Sequence, residues 1–389
     1  MWYAFSMGMG PSRIGDFRLN DAIGEGSTAR VFDATHIATG QKVALKILEA
    51  GARSSSELKE RLAREAVMLA EVTSLHVGRI LGLGYDEDQP FLVLERLHGE
   101  TFHEFMKREG SPTTSQLLTW IEQLLIGLRD CHKVGIVHRD IKPSNIFLQQ
   151  GAGANPSPDD AFVKLIDFGV ARLREIASVG VSLTSTNHLI GSMGYMAPEQ
   201  LQYAKGVGPQ ADLYAVGVVL FRAISGKLPF ANRSLEKVIK MKCDEDAPVL
   251  SSLPHVVKLP LLDAFCARAL ARTAEARFQT AGEMLEEWWR VTATIDADSP
   301  LTIEGMEFST ETDPHEATRT NAETLTLTAP GHAVLLADPD EEPPTRKFPP
   351  ADSTYGVSGD LRTSPDNTIL KVLQNEIQLN RMRKKGSEG

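Results

Sequence analysis

The sequence predicts an α+β protein with a small β-rich section carrying one main helix and a larger, mostly helical section, followed by a largely disordered tail. Three observations carry this. From Asp16 to about Leu94, apolar and polar residues alternate in short runs separated by Gly or turn residues. From Thr101 to about Arg290, the apolar patterns are mostly helical. Beyond Thr292 the chain is rich in Thr, Pro and acids and poor in aromatics, so it cannot bury enough apolar surface to offset the entropy of ordering it.

In the first section "VFDATHI" and "KVALKIL" read as strands, and "SSSELKERLAREAVMLAEV" reads as the one helix. Leu58, Leu62, Ala66 and Leu69 share its apolar face, and Ser54 with Glu57 fits a capping box. In the second section, "TSQLLTWIEQLLIGLRDCHKVG" predicts a long helix ending at Gly135, where a glycine C-cap is expected. Further helices are predicted at 210–225, 234–243, 260–271 and 281–291. "QQGAGANPSPDD" reads as an extended hairpin loop between two short strands. In the tail, "DNTILKVLQNEIQLNRMRKK" (within 366–385) predicts an amphipathic helix, with Leu370, Leu373 and Ile377 on one face. The opening "MWYAFSMGMGPSR" has no basic region ahead of an apolar one, so 1–15 reads as a flexible leader and not a signal peptide.

Charge and cysteine usage narrow the classes. The formal net charge is -10, and most of it sits beyond residue 290, where 17 acidic residues face 9 basic ones. No basic footprint for nucleic acid is present. Cys131, Cys243 and Cys266 are far apart and odd in number, which opposes both a metal site and a disulfide framework and suits a reducing cytoplasm. No run reaches the length of a membrane span; "YAVGVVLFRAI" is the most apolar stretch and fits a buried core helix.

Chemistry concentrates in five pieces. "IVHRDIKPSNIFL" places His, Arg, Asp, Lys and Asn between two apolar flanks that read as short buried strands, so its polar residues sit on a loop held at both ends. Ahead of it come "IGEGSTARV", which supplies Ile23, Gly24, Glu25, Gly26 and Ser27, then "VALK" ending at Lys46, and then Glu65 on the predicted helix. "DFG" follows, with Asp167 at its head. With a nucleoside triphosphate as substrate each piece has a task. Glycines at 24 and 26 let a hairpin backbone approach phosphates without a Cβ clash. Lys46 supplies a cation for the α- and β-phosphates, and Glu65 holds that cation in place. Asn145 and Asp167 are hard oxygen ligands suited to Mg²⁺, with Mn²⁺ as an alternative. Asp140 accepts the proton of an attacking hydroxyl. Lys142 neutralises charge developing on the transferred phosphoryl group.

In this order, the five pieces resemble the eukaryotic-like (Hanks-type) serine/threonine protein kinases, their bacterial members in particular, over about 16–291. "GSMGYMAPEQ", "ADLYAVGVVL" with Asp212 and Gly217, and "EARF" with Arg277 continue the resemblance. It implies a bilobal protein-kinase-like fold with an N-lobe at about 16–94, a hinge at 95–97 and a C-lobe at about 98–291. It implies Leu94 as gatekeeper, Glu95 to Leu97 as hinge backbone facing adenine, and Val31, Ala44 and Phe147 around the base. Arg277 is implied to pair with Glu199. Ala29 stands where many members have a third glycine, Ser192 where Thr is commoner, and Tyr214 where Trp is frequent; none removes a catalytic group.

The resemblance implies an ATP- and Mg²⁺-dependent phosphotransferase acting on Ser/Thr hydroxyls of protein substrates. Lys142, two residues after Asp140, fits the serine/threonine type. Arg139 is implied to bind a phosphorylated activation-loop residue, and Thr184 and Thr186 are the autophosphorylation candidates. Thr310, with Asp313 three residues on, fits a site read by a phosphothreonine-binding domain once modified. The alternative is a pseudokinase scaffold that binds nucleotide and partners without turnover. Lys46, Asp140 and Asp167, which such scaffolds typically lose, are all present. A small-molecule phosphotransferase of the same fold is opposed by "MAPEQ". The expected location is cytoplasmic.

Overall fold

The computed structural model describes residues 13–25, 29–48, 66–86, 89–150, 161–168, 193–202, 207–232 and 234–302. The N-terminal region is an antiparallel sheet of β1 (Arg13–Ile14), β2 (Phe17–Glu25), β3 (Ala29–His36), β4 (Lys42–Leu48), β5 (Ile80–Asp86) and β6 (Gln89–Glu95), in the order β1-β2-β3-β4-β6-β5. Side chains alternate across a pleated strand, so each register assigns faces. Phe32, Ala34, Val43, Leu45, Ile47, Phe91 and Val93 fall on one face and form its core with Leu19. Val31, Ala44, Lys46, Leu92 and Leu94 fall on the other. There Leu92 and Leu94 meet Leu83 and Ala66, the latter on a helical segment at 66–70. Gly84 is required by packing: a Cβ there would lie 2.2 Å from the Phe91 ring.

A second antiparallel sheet, β7 (Gly99–Thr101), β8 (Ile146–Gln149) and β9 (Phe162–Leu165), begins the C-terminal region. Seven helices follow or interleave with it among the described residues: α1 (Phe102–Glu109), α2 (Thr114–Lys133), α3 (Pro198–Gln202), α4 (Gln210–Ser225), α5 (Leu235–Asp244), α6 (Pro260–Ala269) and α7 (Ala281–Thr292). Their starts are written locally. Thr101 with Glu104 and Thr113 with Gln116 form capping boxes on α1 and α2, and Ser234 and Thr280 cap α5 and α7. Gly135 takes a left-handed φ of 80° just past α2, as its C-cap role requires. α4 is the central core helix, and Gly217 lets α6 approach it, since a Cβ there would meet the Ala269 Cβ at 2.8 Å. α7 lies on α2, with Trp288 Nε1 donating to the Leu118 carbonyl at 3.1 Å.

Three boundaries differ from the sequence expectation. Arg13 and Ile14, expected in the 1–15 leader, pair with Arg18 and Phe17 as β1. Residues 299–301, expected in the tail from 292, pack on the C-terminal region. Leu301 is buried, its carbonyl accepts from the Val257 N–H at 2.9 Å, and Thr114 Oγ1 donates to the Ser299 carbonyl at 2.6 Å. One apolar side chain in a polar stretch carries no periodicity, so composition alone could not place it. The upstream flank of the polar loop, Ile136–Val137, is a connection without strand pairing, whereas the downstream flank is β8. The 366–385 helix, the Ser54 cap and most of the helix it was to start lie outside the described residues. All three cysteines are free. Among the described residues no helix is long and apolar enough to cross a membrane.

Candidate active site

The two sheets and the loop after α2 bring five of the predicted residues together, Lys46, Asp140, Lys142, Asn145 and Asp167. Lys46, on β4, forms an ion pair with Asp167, which directly follows the short connection from β9. The sequence assigns Glu65 to hold Lys46; Glu65 lies outside the described residues, and Asp167 is the acid on the lysine here. Asp167 adopts a left-handed φ of 63°, an uncommon conformation for a non-glycine residue and one found at functional sites. Burial works to raise its carboxyl pKa, but the charge and hydrogen bond of Lys46, with help from Lys142 and His138, outweigh this and hold it below the usual carboxylate range.

On the loop, Lys142 Nζ lies 3.1 Å from Asp140 Oδ2. Asn145 Nδ2 donates to the Asp140 carbonyl at 2.7 Å and to its Oδ2 at 3.0 Å. Asn145 is buried at the end of a short 3₁₀ turn, Pro143–Asn145, and its carbonyl accepts the Ile166 N–H at 3.0 Å. This last bond ties the loop to the residue before Asp167. Both amide hydrogens of Asn145 are thus directed at Asp140, which leaves its amide oxygen for a cation. An amide oxygen and an ionised carboxylate are hard donors, so the pair fits Mg²⁺.

The loop is held from below by Asp212, whose part in the site sequence reasoning missed. Asp212 is 1% exposed, and its carboxylate accepts the N–H groups of His138 at 2.8 Å and Arg139 at 2.7 Å, with His132 Nε2 at 2.9 Å. Arg139 takes a φ of 63°, and its carbonyl accepts from Gln200 Nε2 at 3.1 Å. The signal was present: Asp212 is the lone acid in the otherwise apolar "ADLYAVGVVLF", and a charge inside such a helix must be holding something. His138 is buried, with Nε2 against the Ile166 carbonyl at 3.0 Å, Nδ1 accepting the Asp140 N–H at 3.3 Å, and its ring 4.5 Å from that of Phe168. Burial pulls its pKa down against the opposing pull of Asp212 and Asp140, which matches the acceptor role of Nδ1.

Above the loop, the sheet registers pair Gly24 with Val31, Val31 with Lys46, and Ala44 with Leu94. Val31, Ala44 and Lys46 therefore share one sheet face, while Phe147 lies on β8 opposite Thr101 and Lys164. Ile23 is exposed and Gly24 partly so. For Glu25 only the strand backbone is described, and Gly26 and Ser27 lie outside the described residues, as do Ser192, Thr184 and Thr186. The connection after β6 carries paired charges that the sequence did not reveal. Glu95 Oε1 accepts from Lys164 Nζ at 2.7 Å and from the Arg79 N–H at 2.8 Å, and Arg96 bonds Asp33 at 2.7 Å and the Leu97 carbonyl. Arg277 grips Glu199 bidentately at 2.7 and 2.9 Å, as the resemblance implied.

The protein kinase domain model matches residues 17–289. The chain belongs to the protein kinase family. Among its relatives, it is 28% identical over 347 residues to the probable serine/threonine-protein kinase pknA2 of Bifidobacterium longum, covering 88% of this chain and 42% of that one. It is 33% identical over 267 residues to the serine/threonine-protein kinase Pkn1 of Myxococcus xanthus, covering 68% of this chain and 37% of that one. The chain thus spans less than half the length of those two relatives. The crystal structure of a double mutant of the Mycobacterium tuberculosis PknI kinase domain shares the fold, with a TM-score of 0.55 at 20% identity, covering 73% of this kinase and 99% of that chain.

Proposed function

We propose that this kinase transfers the γ-phosphoryl group of ATP to Ser and Thr hydroxyls of proteins. The observation that carries the reading is the Asp140 carboxylate, held at once by Lys142 and Asn145 on a loop that the Asn145–Ile166 hydrogen bond ties to the chain leading into the Lys46–Asp167 pair. Asp140 orients the acceptor hydroxyl and takes its proton as the oxygen attacks the γ-phosphorus. Lys142 offsets charge on the transferred group, and Lys46 holds the α- and β-phosphates. Asn145 and Asp167 would hold Mg²⁺ (Mn²⁺ serving as a substitute), which supplies charge neutralisation between the phosphates. Gly24 to Ser27 cover the phosphates, Val31, Ala44 and Phe147 enclose the adenine, and Glu95 to Leu97 offer backbone groups to its edge. With nucleotide bound, Glu65 would hold Lys46 in place.

Serine and threonine are favoured as acceptors by Lys142 and by the similarity to bacterial serine/threonine-protein kinases. Autophosphorylation at Thr184 or Thr186 would order that segment against Arg139. A cytoplasmic location, no nucleic-acid partner, and a tail read by a phosphothreonine-binding domain complete the reading. No observation favours the non-catalytic scaffold.

The test is transfer from γ-labelled ATP with Mg²⁺ to a generic basic protein, with phosphosite mapping. Label on Ser/Thr is expected, and the Thr184→Ala/Thr186→Ala variant is expected to lose most activity. A double variant as active as the parent would remove the switch, and absence of label would remove the kinase activity itself.

A further inference from the structure

Lys242, on α5, is a buried lysine that the phosphotransfer chemistry does not use. It is 1% exposed, a depth at which an amine is retained only where hydrogen bonds hold it. Its Nζ donates to the carbonyls of Gly194 and Met196, both at 2.7 Å. These two carbonyls bracket Tyr195, and Tyr195 and Met196 line the same cavity as Arg139, Asp140 and Gln200. A polypeptide that brings its hydroxyl to Asp140 must therefore run against the 193–196 segment.

That segment is tied down at both ends. Downstream, Glu199 on α3 is gripped by Arg277. Upstream, Lys242 is the tether. The two cations meet over Tyr214, with Lys242 Nζ 5.1 Å and the Arg277 guanidinium 4.8 Å from the ring centroid. The hydrogen bonds of Lys242 go to the segment, not to Lys46, Asp140, Asn145 or Asp167.

We propose that Lys242 is a positioning residue for the protein substrate: it sets the shape of the 193–196 segment against which the acceptor peptide lies, and so governs peptide affinity without acting on the nucleotide. The proposal rests on the phosphotransfer reading of the site. Burial first, and then the Arg277 guanidinium, draw the Lys242 ammonium down to about 7, against the opposite pulls of Cys243 and Glu199. Two carbonyls need two N–H groups, and the neutral amine still has two, so the tether holds in either protonation state.

The experiment compares the full chain with Lys242→Met, which keeps the aliphatic stem and removes the donors. The probe is a peptide of residues 178–192, used as phosphate acceptor and, fluorescein-labelled, as a binding ligand read by anisotropy. Lys242→Met is expected to raise the peptide KM about tenfold, roughly the worth of one net hydrogen bond, with the ATP KM unchanged. A folded variant with an unaltered peptide KM, or with both KM values raised alike, overturns the proposal. If the parent protein transfers no phosphate, the kinase reading fails by itself and anisotropy decides for Lys242. Weaker peptide binding by the variant then supports its role, and equal or absent binding to both proteins overturns it. Should Lys242→Met lose its cooperative thermal transition, Lys242→Gln, which restores two N–H donors, takes its place; loss of the transition there too makes Lys242 a fold-holding residue and overturns the proposal.

Discussion

The pairs Lys46–Asp167 and Arg277–Glu199 use the same chemistry in opposite ways. Lys46 meets a carboxylate whose side chain is 45% exposed, and the two residues stand 121 positions apart, one on β4 and the other just past the end of β9. Arg277 has a side chain 0% exposed, binds Glu199 bidentately, and donates to the carbonyls of Ala271 at 2.7 Å and Arg272 at 2.9 Å. A guanidinium whose donors are all directed at fixed acceptors is over-determined and cannot be exchanged. A lysine on one half-exposed acid can be, which is what a site that must admit phosphates and a cation requires. The difference separates a pair that fixes the fold from a pair that waits for a ligand.

The largest break in that comparison is expected at Arg277. Arg277→Ala strands Glu199 and the carbonyls of Ala271, Arg272 and Gln210, and is expected to cost about 3–5 kcal/mol of stability, read as a fall in the urea midpoint. Retained stability would place Arg277 with Lys46 among the exchangeable cations. A smaller, pH-dependent effect belongs to His138. Burial lowers its pKa in the folded chain, so on acidification the unfolded chain takes up the proton first. Stability is therefore complete above the unfolded value of about 6.5 and declines as pH falls below it toward the folded value. Urea unfolding between pH 7.5 and 5 should show this decline, and His138→Gln should flatten it; an unchanged slope in the variant would assign the decline elsewhere. The smallest effect on stability is expected at Lys46. Lys46→Met leaves Asp167 open to water and should cost less than about 1 kcal/mol while phosphotransfer collapses. A loss as large as that of Arg277→Ala would make Lys46–Asp167 a structural pair.

Much of this was legible in the residues. "QADLYAVGVVLFRAIS" is apolar enough that α4 could be bounded by residue, and "HRDIKPSN" places Asp140, Lys142 and Asn145 on one short loop. What spacing could not show are contacts made at long range. Lys46 reaches Asp167, Asp212 supports the loop some seventy residues upstream, and Lys164 crosses to Glu95. Each is a lone charge among apolar residues, a pattern that says a partner exists without saying which. The packing of residues 299–301 was hidden for a related reason, since Leu301 is a single buried apolar side chain in a polar stretch.

The most direct test of the central claim, that Asp140 is the base of a phosphotransfer site, is the turnover of Asp140→Asn beside its affinity for ATP. Asparagine preserves the shape of the side chain but cannot take the hydroxyl proton. Transfer is expected to fall about 10²–10⁴-fold, the usual worth of a positioned general base, with ATP affinity and thermal midpoint unchanged. Equal transfer by the parent and Asp140→Asn would contradict the account.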